Sequence, residues 1–323
     1  MNIGIIGAGG MGKAHAGKLA QIEGCRITAV ADVNVDAAKS LAEKHGAAAF
    51  GDFRDLLKSD VEAVYICTPP YLHEEQAVAA AHARKHVFLE KPIDVSLKAA
   101  DNIVAACRAS GVKLMIGFVL HCYPAFRKIK EVLDSGAIGS PVLLWCSRMG
   151  AGPQPSPEHW LQNPAMSGGM AVEFNAHDLD WLRWVGGDAE SVYGRVAHAK
   201  GMRIEDNVVA VLAYTAGGTG LIASSWSAPI AHTFAGAIGT QGNVVLGNDG
   251  QVKSQRRGDA AVTHELEGGV DSLLREDRHF VRCVQDDEEP EMSGEDGVAA
   301  LELSLAIQES SRSGEVVRLP MDR

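Results

Sequence analysis

The sequence predicts an α/β protein: a doubly wound parallel sheet, then an α+β region built on an open, mainly antiparallel sheet. Three observations carry this expectation. Short apolar runs alternate with alanine-rich helical stretches over the first third of the chain. A glycine-rich turn closes the first of those runs. Beyond residue 122 the alternation gives way to strand-like runs with no helix-length crossover between most of them. Continuous apolar strands joined by helices are the mark of a parallel sheet covered on both faces, whereas directly connected strands favour antiparallel pairing. At 323 residues the chain exceeds what one core usually supports, so two domains, 1–122 and 123–323, are expected.

The apolar runs of the first part lie at 3–6, 27–31, 63–67, 87–89 and 114–116, and the helical stretches at 11–20, 35–44, 72–84 and 96–108. Each crossover is long enough for a right-handed βαβ unit. The segment Gly7-Ala8-Gly9-Gly10-Met11-Gly12 follows the first run directly and opens a helix. In that setting backbone N–H groups point at a phosphate. Gly7 permits the tight turn, Gly9 lets a pyrophosphate approach the backbone, and Gly12 lets helix and strand pack closely. Asp32 ends the second run, 20 residues after Gly12. An acid there accepts both hydroxyls of an adenosine ribose and repels a 2′-phosphate. The pattern points to a Rossmann domain that binds NAD rather than NADP. Asp32 has one other reading, as a cap on the helix that begins near Val35.

In the second part a helix is expected at 124–133, where Pro124 suits a first helical position, and a strand at 142–147. A loop over 150–169 holds Pro153, Pro155, Pro157 and Pro164. A loop of that length is usually functional, so it reads as a wall of the active site carrying Trp160. A helix over 170–185 is stopped by Gly186-Gly187. Strand-like runs between 191 and 267 include 207–214 and 220–227, and helices over 270–285 and 294–311 close the chain. The alternation over 208–214 and 221–226 leaves one apolar face to be covered.

Composition narrows the partners. The 41 acidic against 30 basic side chains give a net charge of −11, which argues against nucleic acid or an anionic membrane surface. Cys25, Cys67, Cys107, Cys122, Cys146 and Cys283 are scattered without a Cys-x-x-Cys pair, which fits reduced thiols better than disulfides or structural zinc. The N-terminal residues lack the features of a signal peptide, and no run approaches the ~18 apolar residues of a membrane helix. A cytoplasmic location is expected.

Glu173, His177 and Asp180 are spaced four and three apart, which places them on one stripe of the helix over 170–185. A carboxylate one turn away can orient an imidazole and stabilise its protonated form. Histidine titrates near working pH and suits proton transfer. The stripe reads equally as an exposed charged face, or as a satisfied histidine at a domain interface. Lys91 follows a strand end, on the side of a parallel sheet where ligands collect, and as a cation it can hold a developing alkoxide. Hydride transfer needs no metal, and no metal site is expected.

Two further segments carry a family likeness: Thr68-Pro69-Pro70-Tyr71-Leu72-His73 followed by Glu90-Lys91-Pro92, and 168–180 with its His177-x-x-Asp180. With the opening turn, they resemble the glucose-fructose oxidoreductase / inositol dehydrogenase / MocA family over nearly the whole chain. The resemblance implies a hydride transfer between NAD and an alcohol carbon of a sugar, cyclitol or related polyol. It implies that Lys91 lies by the nicotinamide and substrate, and that His177 is the general acid/base, with Glu173 and Asp180 beside it. Thr68, Pro69, His73, Glu90 and Trp160 join the glycine turn and Asp32 around the cofactor. A homodimer or homotetramer follows from the same likeness. Three positions depart from the pattern: Glu173 and Asn175, where relatives usually carry aspartate and glycine, and His121, where arginine is common. An NAD-dependent glycosidase acting by transient oxidation, or a non-catalytic NAD-binding protein, stands as the alternative.

Overall fold

In the computed structural model, which describes residues 1–322, the chain opens with alternating strands and helices. They are β1 (Asn2–Ile6), α1 (Gly10–Leu19), β2 (Arg26–Ala31), α2 (Val35–His45), β3 (Ala48–Phe50), α3 (Phe53–Leu57), β4 (Ala63–Ile66), α4 (His73–His82), β5 (His86–Leu89), α5 (Leu97–Ser110) and β6 (Leu114–Ile116). The strands form one sheet in the order β3-β2-β1-β4-β5-β6, every pair parallel. This is the dinucleotide-binding strand order. All residues of β4 and β6 are buried without alternation, as a sheet covered on both faces requires. β3 and α3, three and five residues long, are too short to show a period in the sequence.

The second part comprises α6 (Pro124–Asp134), β7 (Pro141–Met149), α7 (Pro164–Ser167), α8 (Gly169–Glu173), α9 (Ala176–Gly186), β8 (Ala189–Ala197), β9 (Asn207–Tyr214), β10 (Thr219–Ser225), β11 (His232–Gly239), β12 (Gly242–Leu246), β13 (Val252–Arg256), β14 (Val262–His264), α10 (Ser272–Gln285), α11 (Gly294–Ser313) and β15 (Val317–Arg318). Nine strands form one sheet in the order β14-β13-β12-β11-β7-β10-β9-β8-β15. The sheet is antiparallel except between β7 and β10, whose long connection brings the chain back in the same direction. On β9, Val208, Ala210, Leu212 and Tyr214 are buried in a core shared with Leu179 and Leu182 of α9 and Ile307 of α11. The alternate residues Val209 and Val211 are 50% and 42% exposed. Across that outer face Tyr193, Val211, Leu221 and Trp145 stand in one cross-strand row. The segment expected as a loop over 150–169 is only partly irregular, since a 3-10 turn (Trp160–Gln162) and α7 occupy its second half.

Contacts divide the chain into one unit of Met1–Val119 with Asp271–Val298 and another of Leu120–Val270 with the residues from Ala299 onward. The sequence suggested a single boundary after residue 122. The discontinuity arises because α10 packs against α1 and brings Phe280 into edge contact with Tyr65 and Phe88. Asp271 caps α10 by accepting the Leu274 N–H (3.0 Å) and pairs with Lys18 of α1 at 2.5 Å.

A buried charge cluster lies between those two helices. His15 of α1 is fully buried, with Nδ1 2.7 Å from Asp277 Oδ1 on α10 and Nε2 2.8 Å from Glu90 Oε1 at the end of β5. Both ring nitrogens face carboxylate oxygens, so both donate and the ring is an imidazolium. Burial opposes that charge, but the bonds to Asp277 and Glu90 and their negative charges outweigh it and raise the pKa to about 10. Phe88 presents an edge 4.8 Å away and Tyr65 lies tilted at 5.2 Å, completing an aromatic surround. Burial pushes Glu90 up, yet the bond to His15, its charge and that of Lys91 hold the carboxyl below its ordinary value. Burial lifts Asp277 and, more strongly, its neighbour Glu276.

Two outcomes follow from this packing. A Cβ at Gly12 would stand 1.9 Å from the carbonyl oxygen of Gly7, a backbone atom that cannot swing aside. Gly12→Ala is therefore expected to cost at least about 1–3 kcal/mol in thermal unfolding, the range of an overpacked core. The His15 ring titrates at 6.5 when unfolded and at about 10 when folded. Its stabilisation is complete below pH 6.5 and is withdrawn as pH rises through about 10. Urea midpoints should fall more steeply over that interval in the wild type than in His15→Gln, and parallel pH curves would contradict a buried imidazolium.

Candidate active site

The cofactor cradle begins at the glycine turn. Gly7 holds φ at +98°, and a Cβ there would press on the Cys67 carbonyl oxygen at 2.8 Å. Its own N–H donates to the Ala31 carbonyl (2.8 Å), locking the turn to β2. α1 starts after Gly9, and no side chain caps it, so its first-turn N–H groups are left to a ligand. Around Gly9 and Gly10 a Cβ would meet nothing within 4 Å, which leaves a cradle open to a phosphate group. Met11 on the first turn is 42% exposed.

Asp32 is bound into this turn. Its Oδ2 accepts the Ala8 N–H (2.7 Å) and its Oδ1 the Asn34 N–H (2.8 Å). The cap of α2 is Asn34, which accepts the Ala37 N–H at 3.2 Å, so the helix-cap reading of Asp32 does not hold. Each Asp32 oxygen keeps acceptor capacity for a hydroxyl. The cradle and this carboxylate fit the pyrophosphate and adenosine ribose of NAD.

The strand ends place Lys91. In the parallel register Ile6 stands beside Ile66 and Ile66 beside Leu89, so Gly7, Cys67 and Glu90 emerge at the same sheet end. Two strand spacings put Glu90-Lys91 about 10 Å from the glycine turn. This is the carboxyl end, where ligands of open α/β sheets bind. The Glu90 Oε2 accepts the Lys91 N–H at 3.1 Å. The Lys91–Pro92 peptide is cis.

Thr68 donates its hydroxyl to Gln76 Oε1 (2.6 Å), and Pro69 leads into a 3-10 turn at Pro70–Leu72. His73 is buried with its ring between the carbonyls of Thr68 (2.9 Å) and Pro92 (3.0 Å), and burial lowers its pKa. It ties the loop after β4 to the loop after β5. The sequence expected His73 beside the cofactor, but a ring committed to two backbone carbonyls is a brace for Thr68 and Pro92.

The second unit corrects the expected stripe. Glu173 closes α8 while His177 and Asp180 lie on α9, so the helix predicted over 170–185 is broken at Phe174 and Asn175. Arg148 of β7 sits at the break. Its Nη2 donates to the Phe174 carbonyl (3.0 Å), an acceptor that a continuous helix would use, and its guanidinium lies 4.1 Å over the Phe174 ring. The same nitrogen donates to Asp178 Oδ2 at 3.1 Å. Asn175 Nδ2 donates to Asp178 Oδ2 (2.7 Å) and to Ser224 Oγ of β10 (2.8 Å). Glu173 and His177 stay half-buried around the break, whereas Asn175, Asp178 and Asp180 are buried.

Asp180 has a commitment the spacing did not foresee. Its Oδ2 lies 2.8 Å from Nε2 of His121, whose ring stacks on Trp184 at 4.0 Å between centroids. Asp180 is thus buried, with one carboxylate oxygen engaged by His121. Trp160, in its 3-10 turn, packs against the core of the second unit.

Four residues escaped the sequence reading: His15, Asp277, Arg148 and Glu205. Glu205 accepts the Ala171 N–H (3.1 Å) and the Gln308 amide (2.9 Å), holding the start of α8. Gly169, at φ +80°, admits that carboxylate, since a Cβ there would stand 2.3 Å from it. Only the Gly168-Gly169 pair hinted at so close an approach. Among the described residues no group of three His, Cys, Asp or Glu is arranged to hold a metal ion, and no helix is long and apolar enough to cross a membrane.

Comparison with known proteins agrees with this geometry. Residues 1–118 match the oxidoreductase family described as an NAD-binding Rossmann fold, and residues 126–252 match the GFO/IDH/MocA C-terminal domain. The chain is 32% identical to the myo-inositol 2-dehydrogenase of Thermotoga maritima, over 99% of this chain and 98% of that protein. It is 26% identical to the NAD(+)-linked scyllo-inositol 2-dehydrogenase of Bacillus subtilis, over 99% and 96%. A levoglucosan dehydrogenase solved with NADH and levoglucosan shares the fold, with a TM-score of 0.90 and 22% identity over 99% of this chain and 100% of that one. The chain, with its cradle at Gly9 and its anchored Asp32, thus belongs to the GFO/IDH/MocA oxidoreductase family.

Proposed function

We propose that the chain transfers hydride between NAD(H) and a hydroxyl-bearing carbon of a sugar, cyclitol or related polyol. The observation that carries the reading is the emergence of Glu90-Lys91 at the same sheet end as the glycine turn. The two inositol dehydrogenases among its relatives support a polyol substrate.

The first unit holds the cofactor and the second shapes the substrate. Bound NAD(H) supplies the hydride acceptor or donor. The N–H groups opening α1 take the pyrophosphate and Asp32 takes the ribose hydroxyls. The Lys91 ammonium holds the reacting oxygen and stabilises negative charge as it develops there. His177 takes the hydroxyl proton on oxidation and returns it on reduction. Glu173 bonds a neighbouring hydroxyl, and Asp180 steadies the site through His121. Asp32 favours NAD over NADP by like-charge repulsion of a 2′-phosphate. The protein works in the cytoplasm as a homodimer or homotetramer, joined through the outer sheet face around Tyr193, Val211 and Trp145.

Mixing the protein with NAD and a panel of inositols and sugars should raise absorbance at 340 nm. Lys91→Ala is expected to lose about 10²–10³-fold in kcat, the usual cost of removing a charge-stabilising donor. A variant as active as wild type would remove Lys91 from the reaction. Asp32→Ser should shift the kcat/KM ratio toward NADP, and an unchanged ratio would deny Asp32 its role. Val211→Arg should yield monomers by light scattering, while a wild type that is already monomeric would refute the proposed interface.

A further inference from the structure

We propose that His15 is a positioning residue: held between Asp277 and Glu90, it fixes the Glu90 carboxylate that takes the Lys91 N–H, and so sets where Lys91 stands. The proposal rests on the reading of Lys91 as catalytic. It assigns to α1 a second task beyond presenting its first turn to the cofactor.

The two oxygens of Glu90 do different work. Oε1 meets His15 Nε2 at 2.8 Å, and Oε2 meets the Lys91 N–H at 3.1 Å. Glu90 is only 7% exposed, so water cannot replace either bond freely. A carboxylate in this position that lost the donor on Oε1 would turn to find another, and the backbone of Lys91 would lose its acceptor. Around the ring, Asp277 and Glu276 come from α10, Glu90 from the end of β5, and the Tyr65 and Phe88 rings from β4 and β5. Burial raises the pKa of Glu276, and the neighbouring Glu90 charge adds to the rise.

A role in packing alone would require only the bond from His15 to Asp277, which joins α1 to α10. The bond to Glu90 is the one that reaches the site. The two use different ring nitrogens, so they can be separated. The amide nitrogen of asparagine overlays Nδ1 of histidine, and that of glutamine overlays Nε2. His15→Asn therefore keeps the donor toward Asp277 and loses the one toward Glu90, whereas His15→Gln does the reverse.

The test reads kcat with NAD and a polyol, KM, NADH affinity by fluorescence, and hydrogen exchange of the Lys91 amide by NMR. His15→Asn should lose about 10–100-fold in kcat, as sub-ångström misplacement of a reacting group does, with KM and NADH affinity nearly unchanged. Its Lys91 amide should exchange faster. His15→Gln should recover most of both properties. Glu90→Ala, which leaves the His15–Asp277 bond in place and removes the acceptor, should expose the Lys91 amide as His15→Asn does, and it decides the matter if His15→Asn does not fold. Equal behaviour of the Asn and Gln variants, an unchanged Lys91 amide in Glu90→Ala, or full turnover in a folded His15→Asn would overturn the proposal. A wild type that oxidises no polyol would sink the dehydrogenase reading instead, and the exchange pattern would still decide what His15 positions.

Discussion

An imidazole sealed between two carboxylates joins three parts of the first unit that are far apart in sequence. His15 is 75 residues from Glu90 and 262 from Asp277, yet one ring bonds both. Such clusters add little net stability, because replacing a buried ion network by well-packed apolar groups is often neutral or favourable. Removing one member is another matter, costing about 3–5 kcal/mol through the uncompensated charge left behind. The cluster therefore acts mainly on arrangement. With the imidazolium in place, α1, α10 and the end of β5 have one mutual position that satisfies all the charges. The discontinuous first unit follows from this, since the pairing recruits residues 271–298 to the cofactor side.

The second unit uses a related device for a different end. Arg148 is partly buried against Asp178 and takes the Phe174 carbonyl. A guanidinium so placed cannot leave its carboxylate cheaply, so the helix yields instead. The break between α8 and α9 is its consequence, and it leaves Glu173 and His177 on separate helices rather than on one rigid stripe. Each unit is thus shaped by buried charge, one by joining elements and the other by interrupting one.

This explains which features could be read from the sequence. The parallel sheet and its cofactor turn were legible because their signals are local: uninterrupted apolar runs, and glycines at fixed spacing between a strand and a helix. The place of Lys91 just past a strand end was legible from the apolar run before it. The stripe of Glu173, His177 and Asp180 misled because helical spacing describes an isolated helix, and a strand residue 26 positions before Phe174 overrules it. His15 was illegible for a sharper reason. A histidine in an alanine- and glycine-rich helix has no local mark of burial, and its partners are fixed only when the sheet and α10 assemble. The return of residues 271–298 to the first unit was illegible likewise, because Phe280 and Asp277 declare their unit only through contacts with α1 and the sheet.

The departures from the family pattern gain a physical sense in this light. Asn175 stands where relatives usually carry glycine, yet its side chain is no intrusion. It donates to Asp178 and to Ser224, tightening the same helix break that Arg148 creates. A glycine there would leave Asp178 to Arg148 and Cys146 and free the Ser224 hydroxyl, so Asn175 and Ser224 form a compensated pair. Glu173, by contrast, lies at the half-buried edge of the break, where an added methylene moves a carboxylate without disturbing a buried bond. The His15 cluster stands in contrast, because each of its buried members bonds another and a change at one leaves a donor or acceptor without its partner.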